Sequence, residues 1–474
     1  MRIITLNILS FIILNIFYQC INNKQIIIPF KILNKQNEDG NYIELLLKNQ
    51  LYAEINLGTP EQTIYLSITT ETESFSIESK LINDKFYSHN ESSTYINTEK
   101  KLSFYHERYK SGKIFKDNFY FQSNLNEKTR IALNNISFDY IYELSEEYIN
   151  KDDAHLINNN NKISGEIGLQ IQKIISSNSN ILNSLNNIKA IDKNIWSLLY
   201  KKEKGNEGYL IIGENLKQFK GEGKRTNAYI NGIYYYWYFF FSDIYSGNIK
   251  FNKERIGEYA PQLGVIIGSD EYKIYVNNTF FRNLIEKNAC KTKNITNKRK
   301  IYSFFECEKV ININNFKPLI FSHQELSYNF ILDKNDLFID YKNKKYFLCI
   351  FLEEDLDINY YENHNWILGS PFTKKYFFSF DADSKVIFFC EDKNWENANN
   401  RSSGFFWFIV STFGILTVIL SIYLIIKIIY RPKRIIANEL EDSFSYLGLK
   451  NISNETDIGD FNNSKYNKLG IYMN

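Results

Sequence analysis

Between Tyr52 and Cys390 the chain is a succession of short runs rich in Ile, Tyr, Phe and Val, each bounded by turn residues: YAEINLG, TIYLSIT, KIFKDNFYFQ, GYLIIGE, YYYWYFFFSDI and KKYFFSFDADSKVIFFC. Branched and aromatic side chains lose freedom in a helical turn but pack well on a pleated surface, so these runs are predicted strands. The last is a hairpin, two aromatic strands about Asp381-Ala382-Asp383-Ser384. Helical periodicity is rare, NNTFFRNLIEKNAC being its best example, whereas SSNSNILNSLNN and INNNNK are polar and read as loop. A chain of 474 residues with this pattern is expected to be mainly β and to fold as two lobes.

Both ends read as addresses. MRIITLNILSFIILNIFYQC places Arg2 ahead of an apolar run, the order of a secretory signal over residues 1–20. Residues 404–426, GFFWFIVSTFGILTVILSIYLII, carry no charge and are long enough to cross a bilayer core of roughly 30 Å as one helix. Lys427, Arg431, Lys433 and Arg434 follow at once, which predicts a cytosolic tail over 427–474 and a lumenal or extracellular main domain. Sequons at Asn90, Asn135, Asn277, Asn294 and Asn400 are glycosylation candidates in that setting. Beyond Cys20 four cysteines remain, Cys290, Cys307, Cys349 and Cys390, an even set that predicts two disulfides of open pairing.

Other classes find no support. The 56 basic and 54 acidic residues are interspersed, without the basic footprint of nucleic-acid binding, and Lys298-Arg299-Lys300 reads as a solvated face. The five histidines are scattered and no Cys/His spacing suits zinc, so neither a metal nor a cofactor is expected. GEGKRT at Gly221 lacks the upstream glycine of a phosphate loop and reads as a turn. The aromatic run YYYWYFFF reads as core packing, since alternate strand residues face inward.

A resemblance to the pepsin-like aspartic proteases runs through the region in order. YAEINLGTPEQTIYLSITTETESFSIES is similar to the family's opening strand, its Gly-Thr-Pro-x-Gln turn and the segment leading to Asp-Thr-Gly-Ser. ISGEIGLQ resembles its Asp-Gly-Ile-Leu-Gly-Leu segment, and NHNWILGSPFTKKYFFSFDADSKVIFFC its Trp-Ile-Leu-Gly-Asp-x-Phe segment with the strand pair that follows. The resemblance implies a bilobal acid-protease fold, with an N-terminal β lobe over 21–225 and a C-terminal β lobe over 226–397.

The same resemblance places the catalytic positions, and both acids are missing. Nine residues beyond Pro60 stands Thr69, so Asp-Thr-Gly reads Thr69-Thr70-Glu71; in QLGVIIGSDEYKIYVNN the partner aspartate falls at Ile267. An aspartic protease holds two carboxyls that share one proton, one withdrawing a proton from water while the other donates to the peptide carbonyl. A threonine hydroxyl is too weak a base for this, and isoleucine has no lone pair. The flap keeps its tyrosine as Tyr105 but replaces the glycine-rich tip with His106-Glu107-Arg108-Tyr109, and Ser370 replaces the acid after Trp-Ile-Leu-Gly. Glu71 and Glu73 in the first loop and Asp270 and Glu271 in the second are displaced acids; they would restore a dyad only if both loops slipped together.

The resemblance further implies disulfides Cys307–Cys349 and Cys290–Cys390. The expectation is a single-pass membrane protein of the secretory pathway, endosome or cell surface. Its inactive pepsin-like domain binds an extended peptide or a protein partner. Two alternatives stand beside it: an active membrane-anchored aspartic endopeptidase using the displaced acids, and an adhesion or scaffold ectodomain. Tyr446-x-x-Leu449 in the tail is similar to an endocytic sorting signal, and a plain tail reads equally well.

Overall fold

The computed structural model describes residues 25–32, 51–70, 72–79, 86–102, 109–122, 130–144, 163–171, 179–201, 207–213, 224–227, 237–259, 265–268, 290–297, 300–308, 313–341, 345–355, 366–390, 414 and 417–427. Met1–Trp395 form one compact unit and Glu396–Asn474 another. In chain order the strands of the first unit begin with β1 (Ile26–Ile32), β2 (Leu51–Leu57), β3 (Gln62–Thr69), β4 (Phe75–Glu78), β5 (Ile96–Lys101), β6 (Tyr109–Gln122), β7 (Arg130–Leu144) and β8 (Gly165–Gly168). Next come β9 (Ile195–Tyr200), β10 (Glu207–Ile212), β11 (Lys224–Asn227), β12 (Tyr238–Ser246), β13 (Ile249–Tyr259), β14 (Val265–Gly268), β15 (Cys290–Asn297) and β16 (Lys300–Glu308). The series ends with β17 (Leu319–His323), β18 (Tyr328–Leu332), β19 (Phe338–Tyr341), β20 (Lys345–Asp355), β21 (Trp366–Leu368), β22 (Phe377–Asp381) and β23 (Val386–Cys390). Short helices α1 (Ile181–Asn187), α2 (Lys334–Leu337) and α3 (Ser370–Lys375) interrupt them.

The strands form two sheets. One runs β11-β23-β22-β9-β10-β1-β2-β3-β8-β4-β7-β6-β5; the other runs β15-β16-β20-β14-β21-β13-β12-β17-β18, with β19 beside β20. The chain does not divide between them at one point, because the expected hairpin β22–β23 hydrogen-bonds to β9 and so closes the first sheet. The reason lies in its residues: Phe380 stacks on Trp196 of β9 with ring centroids 4.2 Å apart, and Trp237 meets both rings edge-on. In the first sheet, Phe75, Phe115, Phe119, Phe138 and Tyr87 form a contiguous buried group. Each such ring removes a large apolar area from water, which makes these clusters the main holding force of the two sheets.

Three local expectations are corrected. The polar stretch read as loop contains α1: the Asn180 side chain accepts from the backbone N–H groups of Leu182 and Asn183, and Ile181, Leu182 and Leu185 bury one face. A cap plus three apolar residues suffices against a sheet, where an isolated seven-residue helix would not form. Lys224–Asn227, read with the preceding glycines as a turn, is strand β11 on the outer edge beside β23. The disulfide is Cys290–Cys307, not the pairs implied by the resemblance. Register explains this: Cys290 faces Cys307 directly in the β15–β16 hairpin, whereas Cys307 faces Tyr346 on β20. Cys349 stands three residues further along β20, hence on the opposite face, and is buried as a free thiol. With Cys290 already joined, Cys390 at the end of β23 is left to another fate.

The expected signal at 1–20, the helical stretch at 277–289 and INNNNK lie outside the described residues. Of the expected span, residues 414 and 417–426 are described and helical, with Val418, Ile419, Leu420, Ile422, Tyr423, Ile425 and Ile426 all exposed. Among the described residues no helix is long and apolar enough to cross a membrane.

Candidate functional site

Thr69 is the last residue of β3, where the chain leaves the sheet before β4. The described residues between Thr69 and Phe75 are held by several backbone bonds. Leu169 N–H donates to Thr69 O (2.8 Å), Gln170 N–H to Thr72 O (2.9 Å), Gly168 N–H to Ser74 O (2.8 Å), and Phe75 N–H to Ser179 O (2.7 Å). The Asn180 amide adds a bond to Glu73 O at 3.0 Å, so the residue that caps α1 also pins the loop. Gly168 allows this close approach: a Cβ there would lie 2.5 Å from Thr72 O and 2.6 Å from Ser74 O. Thr69 is half-buried, and Thr70, Thr72, Glu73 and Ser74 are buried.

The strands around this loop recur in the second sheet. β3 runs parallel to β8, β8 antiparallel to β4, and β4 parallel to β7. In the same way β13 runs parallel to β21, β21 antiparallel to β14, and β14 parallel to β20. The Ile167-Gly168 and Leu368-Gly369 pairs that end the two central strands align β8 with β21, and the register then makes the correspondence residue by residue. Glu166 lies opposite Ser67 and Ser76, and Ile367 lies opposite Glu258 and Ile266. Ser67 therefore corresponds to Glu258, and Thr69, two residues on, to Ala260, which follows the last residue of β13. Ile267 is on β14, opposite Trp366, and corresponds to Ile77 on β4. In sequence, the position that corresponds to Thr69 in the repeat is thus Ala260, which lies outside the described residues, and not Ile267, which lies within β14. VIIG attracted the motif because it is the more apolar run, while β13 ends in the polar sequence Glu-Arg-Ile-Gly-Glu-Tyr.

Of the displaced acids, Glu73 is buried in the pinned loop, not exposed; Glu71, Asp270, Glu271 and the flap Tyr105 lie outside the described residues. Asn90, Asn135 and Asn294 are exposed, as their sequons require, and Asn277 and Asn400 are not described. Among the described residues no group of His, Cys, Asp and Glu could hold a metal ion.

Two residues that the sequence reading passed over are close by. Asp139 on β7 is buried and accepts from Ser74 Oγ and from Ser179 N–H, both at 2.7 Å. Burial, opposed by these hydrogen bonds and reinforced by Glu166, pushes its carboxyl up to about 7. Asn180 is the other. Its signal was present, an Asn directly before Ile-Leu-x-x-Leu; Asp139 carried only the oddity of a carboxylate inside a strand. Trp237 Nε1–H donates to Leu169 O at 2.7 Å, tying the second half of the chain to the segment that supports the Thr69 loop.

No curated protein is matched by this chain. A family model for eukaryotic aspartyl proteases matches residues 50–391, which takes in both copies of the repeated strand set and the loop at the end of each. With the family's extent and its internal duplication coinciding in this way, the chain belongs to the eukaryotic aspartyl protease family.

Proposed function

We propose that this chain is a member of the family that has lost peptidase chemistry and serves as a binding protein for an extended peptide or a partner's loop. The observation that supports the reading is the residue type at the two corresponding sequence positions of the repeat, a threonine at 69 and an alanine at 260. Neither a hydroxyl nor a methyl group can take the proton of a water molecule as a carboxylate does. General acid–base help is worth about 100- to 10,000-fold per group, and members of a dyad fail together. The alternative that uses displaced acids needs both loops to slip, and the bonds that hold residues 69–75 oppose a slip in the first. An extended ligand would be held through strand-like hydrogen bonds to a β-rich domain of this kind. Residues 404–426 are proposed as a membrane anchor: they are uncharged, and the helical part has apolar side chains exposed all round.

The full chain in detergent micelles, offered a mixed peptide library at acidic pH, is expected to release no fragments and to ignore a statine-type inhibitor. A photo-crosslinker placed at position 69 or 260 is expected to capture extended peptides, whereas one on the exposed edge strand β5 is not. Cleavage that disappears in Glu71→Gln or Asp270→Asn would reject the inactive reading. Capture only at β5 would favour the scaffold alternative.

A further inference from the structure

Three neighbouring strands of the first sheet carry two buried carboxyl groups on one face. Ser76 on β4 lies opposite Glu166 on β8 and opposite Asp139 on β7, so the two acids flank it from either side. Cross-strand partners share a face, and the acids are therefore two strand spacings apart, roughly 9–10 Å between backbones, with their side chains on the same side. Both are buried, Asp139 almost completely. The other face of these strands carries Ile167, Phe75, Ile77 and Phe138 and belongs to the apolar core. The acids thus lie buried on the opposite face, on either side of Ser76.

Asp139 is also the fastening of that loop. One carboxyl oxygen accepts from Ser74 Oγ and the other from Ser179 N–H, and Ser179 O in turn accepts from Phe75 N–H. Among the described residues the charged groups around it are few, and Glu73, buried beside Ser74 in the loop itself, is one of them. Glu166 faces it across Ser76, Glu78 lies two residues along β4, and Glu143 lies four residues along β7, bonded by Ser111 Oγ. Lys116 on β6 faces Ser137, two residues away, and α1, packed on β7, brings Ser184 but no charged side chain.

We propose that Asp139 and Glu166 form a proton-sensitive pair that holds the Thr69–Phe75 loop closed when Asp139 is protonated and loosens it when both acids are ionised. The physical reason is the cost of two like charges in a dry interior: the clasped state favours one proton, and opening the clasp to water is the way the second charge finds solvation. Burial with Glu166 alongside raises the Asp139 carboxyl, so the change falls near neutral pH, not in the ordinary carboxylate range.

Hydrogen–deuterium exchange on the full chain, corrected for intrinsic pH dependence, is the test. Peptides spanning 69–75 and 179–183 are expected to exchange about tenfold faster at pH 8 than at pH 5.5, while β9 and β10 do not change. Asp139→Asn should abolish the difference and hold the loop closed at both pH values. Glu166→Gln, which keeps the clasp but removes the neighbouring charge, should move the midpoint to lower pH by about half a unit or more. The proposal is overturned if the wild-type exchange in 69–75 is independent of pH, or if Glu166→Gln leaves the midpoint in place. The second comparison stands even if Asp139→Asn does not fold.

Discussion

At the scale of single residues, the loop that carries Thr69 is shaped by atoms that catalyse nothing. Gly168 is tightly constrained: an added Cβ would strike two backbone carbonyls, and backbone cannot turn aside as a flexible side chain can. Gly168→Ala is expected to destabilise by about 1–3 kcal/mol, read as a shift in the urea midpoint with unchanged slope. Asn180 does two jobs, capping α1 and donating to Glu73 O. Asn180→Ala should cost about 1 kcal/mol for the cap and more for the bond to the loop, whereas Asn180→Asp should keep the cap and lose only that bond. A double-mutant comparison with Ser74→Ala would show whether cap and clasp act together. Asn180 was legible as a cap, since Asn before an apolar pair has a local meaning. Its second bond, to a residue more than a hundred positions earlier, had no local sign.

At the scale of elements, the strands were readable because their side chains are branched and aromatic, and β2, β3, β6, β10, β12 and the β22–β23 hairpin stand where such runs occur. Pairing was not readable in the same way. Cys290 and Cys307 meet because β15 and β16 are joined as a hairpin in one register, and a shift of one residue would have turned one of them to the other face. Replacing Cys290 with Ser is expected to cost about 3 kcal/mol, because the bond closes a loop of 17 residues. Burial pushes the Cys349 thiol up to about 12, so alkylation of the native protein near neutral pH should leave Cys349 unlabelled and unfolding should expose it. Labelling of Cys349 in the folded chain would contradict its place in the second sheet.

For the whole molecule, two buried groups give opposite responses to acid. Asp139 is raised to about 7 from an ordinary 3.8, so its contribution to stability is complete at low pH and is lost as pH rises toward 7. His323, buried at the end of β17 with Nδ1 accepting from Leu326 N–H, is lowered by burial to about 4 from 6.5. It stays neutral while the unfolded chain takes up a proton, so its contribution is lost as pH falls from about 6.5 toward 4. The two partly cancel between those limits. The urea midpoint of the wild type should therefore vary little over that range; Asp139→Asn should make it fall with acid, and His323→Gln should make it rise. What the sequence by itself determined is the strand content and the family, through the spacing from Pro60 to Thr69 and the segments around Gly168 and Trp366, because side-chain type and short-range spacing are local properties. Only the tertiary structure decided that the strand of Thr69 is repeated by β13 and not by β14, that Cys307 joins Cys290, and that Asp139 and Glu166 flank Ser76 on one face. Each of these is a matter of register between strands distant in the chain, set by which faces pack together and not by any residue's own preference.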